Sequence, residues 1–302
     1  MFGVTILGNN SALPAYDRHP TSQLVTINDQ LLLIDCGEGT QMQIARYRIR
    51  HSKIAHILIS HLHGDHYFGL IGLITSMGLL GREHPLNLYA PADLLDIIQL
   101  QLKVASTTLP FPLQFHALTA EGTILDQPKL QIDCFQTIHR IPCWGFLITE
   151  KKKPRKIIRE KVLEYGIPAA FYENLKMGED YRTKSGEIIS NELVTFANHP
   201  NRSYAFCADT LYTENFLAKI QGATMVYHET TYLKDLEERA FARFHSTTTQ
   251  AASIAAKAMA KKLLIGHFSS KYEKLDQFLS ETREGFSNTD LAIEGVTYLI
   301  PN

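Results

Sequence analysis

The chain has 302 residues, with 30 Lys and Arg against 31 Asp and Glu and a formal net charge of −1. That length can bury a large core as one α/β domain or two smaller ones, and the near-balance of charge does not announce a polyanion binder, although a local cationic patch remains open to it. Four widely spaced cysteines, Cys36, Cys134, Cys143 and Cys207, form no CxxC pair, which excludes the disulfide framework of a small secreted chain and predicts buried thiols in a reducing compartment.

In chain order, "VTILG", "SQLVTI" and "LLLID" are apolar runs of strand length, the last two separated by the turn "NDQ". "GEGTQMQIARYRI" starts a helix, and "AHILIS" is another buried strand. "YFGLIGLITSMGLLG" reads as a buried helix weakened by its glycines. "LNLYAP" is a strand, and "ADLLDIIQLQLKVAS" has helical spacing. Strands and helices continue to alternate through "FQTIHRIPCWGFLIT", "SYAFCADT", "TMVYHETT", "STTTQAASIAAKAMAKKLLIGHF" and "KLDQFLSETREGF". This alternation predicts an α/β fold with helices packed on sheets, in a single domain over 1–302. Residues 150–189 break the rhythm: they are charged, poor in strand signals, and begin with "EKKKPRK". They are expected to form an inserted arm, the plainer alternative being a solvated connection with one surface helix. The start "MFGVTILG" has no basic segment followed by an apolar stretch and cleavage site, and no apolar run is long enough to span a bilayer. A cytoplasmic protein without membrane contact is expected.

The stretch "ISHLHGDHYFGL" places His61, His63, Asp65 and His66 within six residues, just past a buried strand. His61 and His63 can leave on one side, and Gly64 gives the bend that follows its freedom. Imidazoles and a carboxylate suit zinc and similar divalent ions. One ion rarely needs all four groups, whereas two ions ~3.5–4 Å apart would use them in pairs. A two-metal site needs further ligands, and three predicted strands end in suitable groups: His139 in "FQTIHRIP", Asp209 in "AFCADT" and His267 in "KLLIGHFS". Each is weak alone, since an aspartate after a strand is often a turn former. Together they complete two coordination shells.

HxHxDH with a later His, Asp and His resembles the metallo-β-lactamase superfamily, and within it the chain resembles ribonuclease Z. The likeness rests on "LGNNSALPAYDRHPTS", "LLIDCGEGTQMQI", "SHLHGDHYFGL", "IHRIPCWGF", "CADT", "YHETT", "FHST" and "IGHFSSKY", in that order along nearly the whole chain. The resemblance implies a four-layer αβ/βα sandwich with a protruding exosite arm. It implies a zinc-dependent endoribonuclease that removes the 3′ trailer of precursor tRNA by hydroxide attack and leaves a 3′-hydroxyl. His61, His63 and His139 would hold one Zn²⁺; Asp65, His66 and His267 would hold the other; Asp209 would bridge them. Mn²⁺ or Co²⁺ are substitutes. Asp65 would orient the nucleophile and accept its proton, and His245 of "FHST", held by Glu229 of "HETT", would serve the leaving 3′-oxygen. Taken without the resemblance, His245 reads as a surface histidine opening a helix capped by Ser246 or Thr247.

The same likeness assigns the arm to the tRNA elbow, with Lys151, Lys152, Lys153, Arg155 and Lys156 as phosphate contacts, and implies a homodimer. Two departures stand out. "AAFYENL" replaces the family's glycine-proline element, and "PAYDRH" places Tyr16 and His19 where the family has lysine and asparagine. Arg18 remains as a phosphate contact or a plain surface arginine. Two alternatives share the metal ligands or the arm: a hydrolase of the same fold acting on small phosphodiesters or sulfate esters, and a non-catalytic RNA-binding scaffold.

Overall fold

Two seven-stranded sheets face each other in the computed structural model, which describes residues 1–301. The first sheet runs Thr297–Leu299, Phe2–Gly8, Ser22–Ile27, Gln30–Ile34, Ile54–Leu58, Leu86–Ala90, Leu113–Ala117. The second runs Thr289–Leu291, Lys262–Gly266, Met225–Glu229, Ser203–Cys207, Cys143–Glu150, Leu130–Thr137, Gly122–Gln127. Each sheet has an antiparallel half and a parallel half. The parallel half begins at Gln30–Ile34 in the first sheet and covers the four strands from Thr289–Leu291 to Ser203–Cys207 in the second. Parallel strands are covered on both faces, which is why "LLLI", "IAHIL" and "LLIG" read as continuous apolar runs without alternation.

The burial pattern explains the layering. Val4, Ile6, Val25, Leu32 and Leu58 of the first sheet meet Ile132, Phe146, Phe206, Tyr227 and Leu264 of the second in one core between the sheets. On the outer face of the first sheet, Leu33, Ile57 and Leu88 pack against Leu73, Ile74, Met77, Leu94 and Ile98 of the helices Leu70–Leu79 and Leu94–Val104. On the outer face of the second, Ala205, Val226, Leu263 and Ile265 pack against Ala251, Ile254, Ala255 and Phe278 of Thr248–Lys257 and Asp276–Gly285. The result is helix, sheet, sheet, helix, as expected. All four cysteines are buried free thiols.

The helix expected from "YFGLIGLITSMGLLG" starts later, at Leu70, after a separate short turn of helix at Gly64–Tyr67. The break is at Gly69, whose N–H donates to Cys36 O at 2.9 Å. A Cβ there would sit 2.3 Å from Gly37 O, so glycine lets the chain pass directly over the loop after Gln30–Ile34. The helix Thr248–Lys257 is capped by Thr247, with Gln250 completing a capping box.

The inserted segment has a small core of its own, formed by Val162, Ile167, Leu175, Ile189 and Val194. It closes where Arg155–Ile157 pairs antiparallel with Thr195–Ala197. The arm therefore continues past Ile189, the boundary expected from composition. A three-residue strand, "TFA", is too short to show a period. No helix among the described residues is long and apolar enough to cross a membrane.

Candidate metal centre

Nine of the residues singled out in the sequence meet at one end of the two sheets. His61, His63, Asp65 and His66 lie in the loop after Ile54–Leu58; His139 follows Leu130–Thr137; Asp209 follows Ser203–Cys207; Glu229 ends Met225–Glu229; His267 follows Lys262–Gly266; His245 follows the helix Glu237–Arg243. Almost all are at carboxyl ends of strands, where the chain leaves the sheet and side chains from several strands can converge.

The donor atoms form two sets. In the first, His63 Nδ1 is 3.0 Å from both His61 Nε2 and His139 Nε2. One ring N–H cannot serve both contacts, whereas a cation between three lone pairs can. In the second, Asp65 Oδ2 lies 3.6 Å from His66 Nε2 and 3.5 Å from His267 Nε2. Both of those nitrogens are buried without a hydrogen-bond partner, and a buried polar atom in that state requires one. Asp209 stands between the sets. Its Oδ1 is 3.2 Å from His267 Nε2, and its Oδ2 is 3.5 Å from His66 Nε2, 3.8 Å from His61 Nε2 and 3.9 Å from His139 Nε2. Imidazole and carboxylate donors grouped in this way fit divalent transition ions.

Histidines and carboxylates shift one another strongly: burial opposes a charged His66, but Asp209, Asp65 and Asp35 outweigh it and raise that imidazole well above its ordinary value. Burial alone would raise Asp209, but His267, His66 and His61 hold it well below the usual carboxylate range. Asp65 behaves likewise: burial opposes ionisation, and His66 and His267 outweigh it. Burial pushes His61 well down, helped by the neighbouring His66. Burial and His139 bring His63 to about 4. These two imidazoles are therefore neutral, the form that ligates.

Three supports around the cluster are not singled out by the sequence. Asp35 is fully buried and accepts from Ser60 N and Oγ at 2.7 and 2.9 Å, and its Oδ2 lies 2.7 Å from His66 Nδ1. That contact turns His66 Nε2 toward Asp65 and Asp209. Phe244 adopts a left-handed conformation with φ of 60°, and its carbonyl lies 2.9 Å from His139 Nδ1, orienting that ring too. Thr231 Oγ1 reaches Glu229 Oε2 at 2.7 Å and His267 Nδ1 at 2.9 Å.

Beside the donor sets, Glu229 Oε1 meets His245 Nδ1 at 2.9 Å. The carboxylate is buried and accepts from the N–H groups of Thr210, Ser246 and Thr231. Burial opposes a charged His245, yet Glu229 outweighs it and raises the imidazole above its ordinary value. His245 Nδ1 is also 3.9 Å from Asp209, and His245, Asp209 and His267 form a third group of possible ligands; the shorter contact to Glu229 fixes its tautomer. His228 points elsewhere, with Nδ1 2.7 Å from Glu229 O and its ring near Phe216.

The remaining predicted contacts lie apart from this cluster. Arg18 donates to Asn10 Oδ1 and to the carbonyls of Tyr272 and Glu273, and stacks over Tyr16. Its guanidinium braces the loop against the segment after His267. Lys151, Lys152, Lys153, Arg155 and Lys156 line a cleft of about 850 Å³ at the root of the arm, together with Lys129 and Lys176. Partial pairing occurs there: Lys151 with Asp126, and Lys152 with Glu150 at 2.8 Å. Arg155 donates to Thr195. The strand Cys143–Glu150 measures the separation. Cys143 Sγ is 3.5 Å from His61 Nδ1, and Glu150 borders the basic cleft, which at ~3.4 Å per residue puts the two ends roughly 24 Å apart.

A family model described as Anti-Pycsar protein Apyc1 matches residues 2–153. A protein of Bacteroides thetaiotaomicron named ribonuclease Z is 41% identical over 303 residues, covering 100% of this chain and 96% of its own length. A Cytophaga hutchinsonii protein of the same name is 42% identical, covering 99% of this chain and 96% of its own. Among solved structures, human tRNase Z, short form, superposes with a TM-score of 0.73 at 24% identity, covering 99% of this chain and 100% of that one. The metallo-β-lactamase fold protein YhfI from Bacillus subtilis superposes with a TM-score of 0.70 at 20% identity, covering 98% of each chain.

Proposed function

Since the chain belongs to the ribonuclease Z family, its first half also falling in the family of the Apyc1 model, we propose that it removes the 3′ trailer of precursor tRNA, leaving a 3′-hydroxyl. It is a metal-dependent endoribonuclease of the metallo-β-lactamase fold. The observation that carries this reading is the convergence of His61, His63, His139 and Asp209 beside Asp65, His66 and His267, with Asp209 within 3.5 Å of His66 and His267 and the Glu229–His245 pair alongside. We further propose that His61, His63 and His139 would hold one cation, Asp65, His66 and His267 a second, and that Asp209 would be shared between them. Zinc suits these donors, with Mn²⁺ or Co²⁺ as substitutes. When bound, such ions supply Lewis acidity that makes water a nucleophile near neutral pH and offsets charge on phosphate oxygens.

The chain's own groups do the rest. The Asp65 carboxylate is fixed by Ala12 N–H, which donates to Oδ2 at 2.7 Å. Its other oxygen would orient an attacking water and take its proton. His245 is held by Glu229 through Nδ1, so Nε2–H is the proton source for the departing ribose 3′-oxygen. The catalytic cleft, about 370 Å³, is lined by His63, Asp65, Asp209 and His245 and walled by Leu13, Pro14 and Phe68. A phosphodiester can enter it while the body of a large RNA stays outside.

The arm cleft serves that outer part. Seven cationic side chains against Glu150 and Glu173 make it a polyanion site, and its distance from the donor sets suits a folded RNA gripped through its backbone. A homodimer in the cytoplasm completes the proposal. Its support is the apolar outer surface of the helices Leu70–Leu79 and Leu94–Val104, where Leu79, Leu80, Leu100 and Val104 are exposed. The Apyc1 match ends at residue 153, before the body of the arm, Glu229 and His245. The test is incubation with a precursor tRNA carrying a 3′ trailer, with product ends mapped. Cleavage at the trailer junction is expected; cleavage of small diesters only would replace this reading by the small-ester hydrolase.

A further inference from the structure

A second, smaller hollow opens from the catalytic cleft on the His245 side. Its volume is about 170 Å³, and it shares Ser11, Ala12, Arg140 and His245 with the cleft. Three arginines line it: Arg140 just after His139, and Arg239 and Arg243 on the helix Glu237–Arg243. They come from segments about a hundred residues apart, and none makes an ion pair among the described residues. Arg239 lies 5.8 Å from the Tyr232 ring, whose centroid is 6.3 Å from that of His245. Ser269 and Ser270 complete the lining, which contains no acidic side chain. Three unpaired guanidiniums on one hollow, in a chain of balanced charge, call for an anion with several oxygens.

The direction of the reaction says which anion. His245 protonates the leaving 3′-oxygen, so the ribose carrying that oxygen must lie on the His245 side of the scissile phosphate. That ribose belongs to the last nucleotide of the retained RNA. The next anion along the strand in that direction is its 5′-phosphate. We propose that Arg140, Arg239 and Arg243 form a subsite for the phosphate immediately 5′ to the one that is cut, positioning the leaving nucleotide against His245. This rests on the endoribonuclease reading above.

The test uses the full-length, metal-loaded protein and a precursor tRNA bearing one uncharged methylphosphonate, placed either one phosphate 5′ or one phosphate 3′ of the cleavage site. The unaltered protein should lose about tenfold to a hundredfold in kcat/KM with the 5′ replacement, as for losing charge-assisted hydrogen bonds. The 3′ replacement should have a much smaller effect. The double variant Arg239→Ala/Arg243→Ala should lose a similar factor on native RNA, and little more when the 5′ phosphate is also neutral. The Lys pair at the same positions should recover part of the loss. Losses that simply multiply, or a larger effect at the 3′ phosphate, would overturn the subsite while leaving the nuclease intact. No cleavage of native precursor by the unaltered protein would overturn the functional reading itself. The comparison of the two modified RNAs with unaltered protein stands even if the variants fold poorly.

Discussion

Replacing Glu229 by Gln keeps the shape of the side chain and removes its charge. In the native protein Oε1 accepts from Thr210 N, Ser246 N and His245 Nδ1 at 3.2, 3.0 and 2.9 Å, and Oε2 accepts from Thr231 N and Oγ1 at 2.9 and 2.7 Å. The amide oxygen of Gln can keep the first three contacts. Its NH2 group then faces the Thr231 N–H, leaving a buried donor unpaired at about 1–3 kcal/mol. Weakening of the three retained contacts from charged to neutral brings the total destabilisation to roughly 3 kcal/mol. His245 also loses the carboxylate that favours its charged form, so its value as a proton donor falls, and general-acid catalysis is worth about 10²–10⁴-fold. The informative assay compares two substrates. Precursor tRNA has a poor alkoxide leaving group, whereas bis(p-nitrophenyl) phosphate expels a phenolate that needs no proton. E229Q and H245A should slow RNA cleavage by ~10²-fold or more and the nitrophenyl ester by less than ~10-fold. Equal losses on both substrates, in variants with unchanged metal content, would refute the assignment of His245 as proton donor.

At the arm, neutralising Lys153 and Lys156 should weaken precursor binding and lower the slope of log K against log salt by about two, one per lysine; an unchanged slope would remove these residues from the RNA contact. In the core, burial and then His116 hold His56 down to about 4 from its ordinary 6.5. The unfolded chain therefore binds a proton between those values that the folded one refuses, so stability present above pH 6.5 is lost as pH falls toward 4. His56→Leu should flatten urea-melt stability across that window by about 2–3 kcal/mol, and an unchanged pH profile would contradict it. On the outer helices, Leu79→Asp with Leu100→Asp should convert the proposed homodimer to monomer in sedimentation velocity; a wild-type protein that sediments as a monomer overturns the dimer, and a variant dimer that persists places the interface elsewhere.

The site was unusually legible because its chemistry is packed into side chains of few types. His61, His63, Asp65 and His66 are concentrated in one loop, and His139, Asp209 and His267 each end an apolar run, so strand ends alone bring them to one edge of the sandwich. Asp35 also ends such a run, in "LLLID", but a single aspartate there looks like a turn former until His66 is seen 2.7 Å away. The Phe244 contribution is a backbone carbonyl delivered by a left-handed residue, and no side-chain pattern encodes it. Arg140, Arg239 and Arg243 meet only because the loop after Leu130–Thr137 lies over the helix that precedes His245. The strand Gly122–Gln127 leaves no sequence signal for a related reason: it is largely solvent-facing at the sheet edge and carries no alternation. Arg18 shows the opposite case. Its position in the loop suggests a phosphate contact, while three of its five N–H donors are used on the carbonyls of Tyr272 and Glu273 and on Asn10 Oδ1.

Metal content per chain, measured by plasma emission spectroscopy on purified protein and on Asp209→Ala, tests the centre most directly. Two equivalents of a divalent transition ion in the native chain, with loss of at least one when the shared carboxylate is removed, is the predicted result. A native chain that takes up no ion after incubation with excess Zn²⁺, yet still cuts precursor tRNA in chelator, would contradict it.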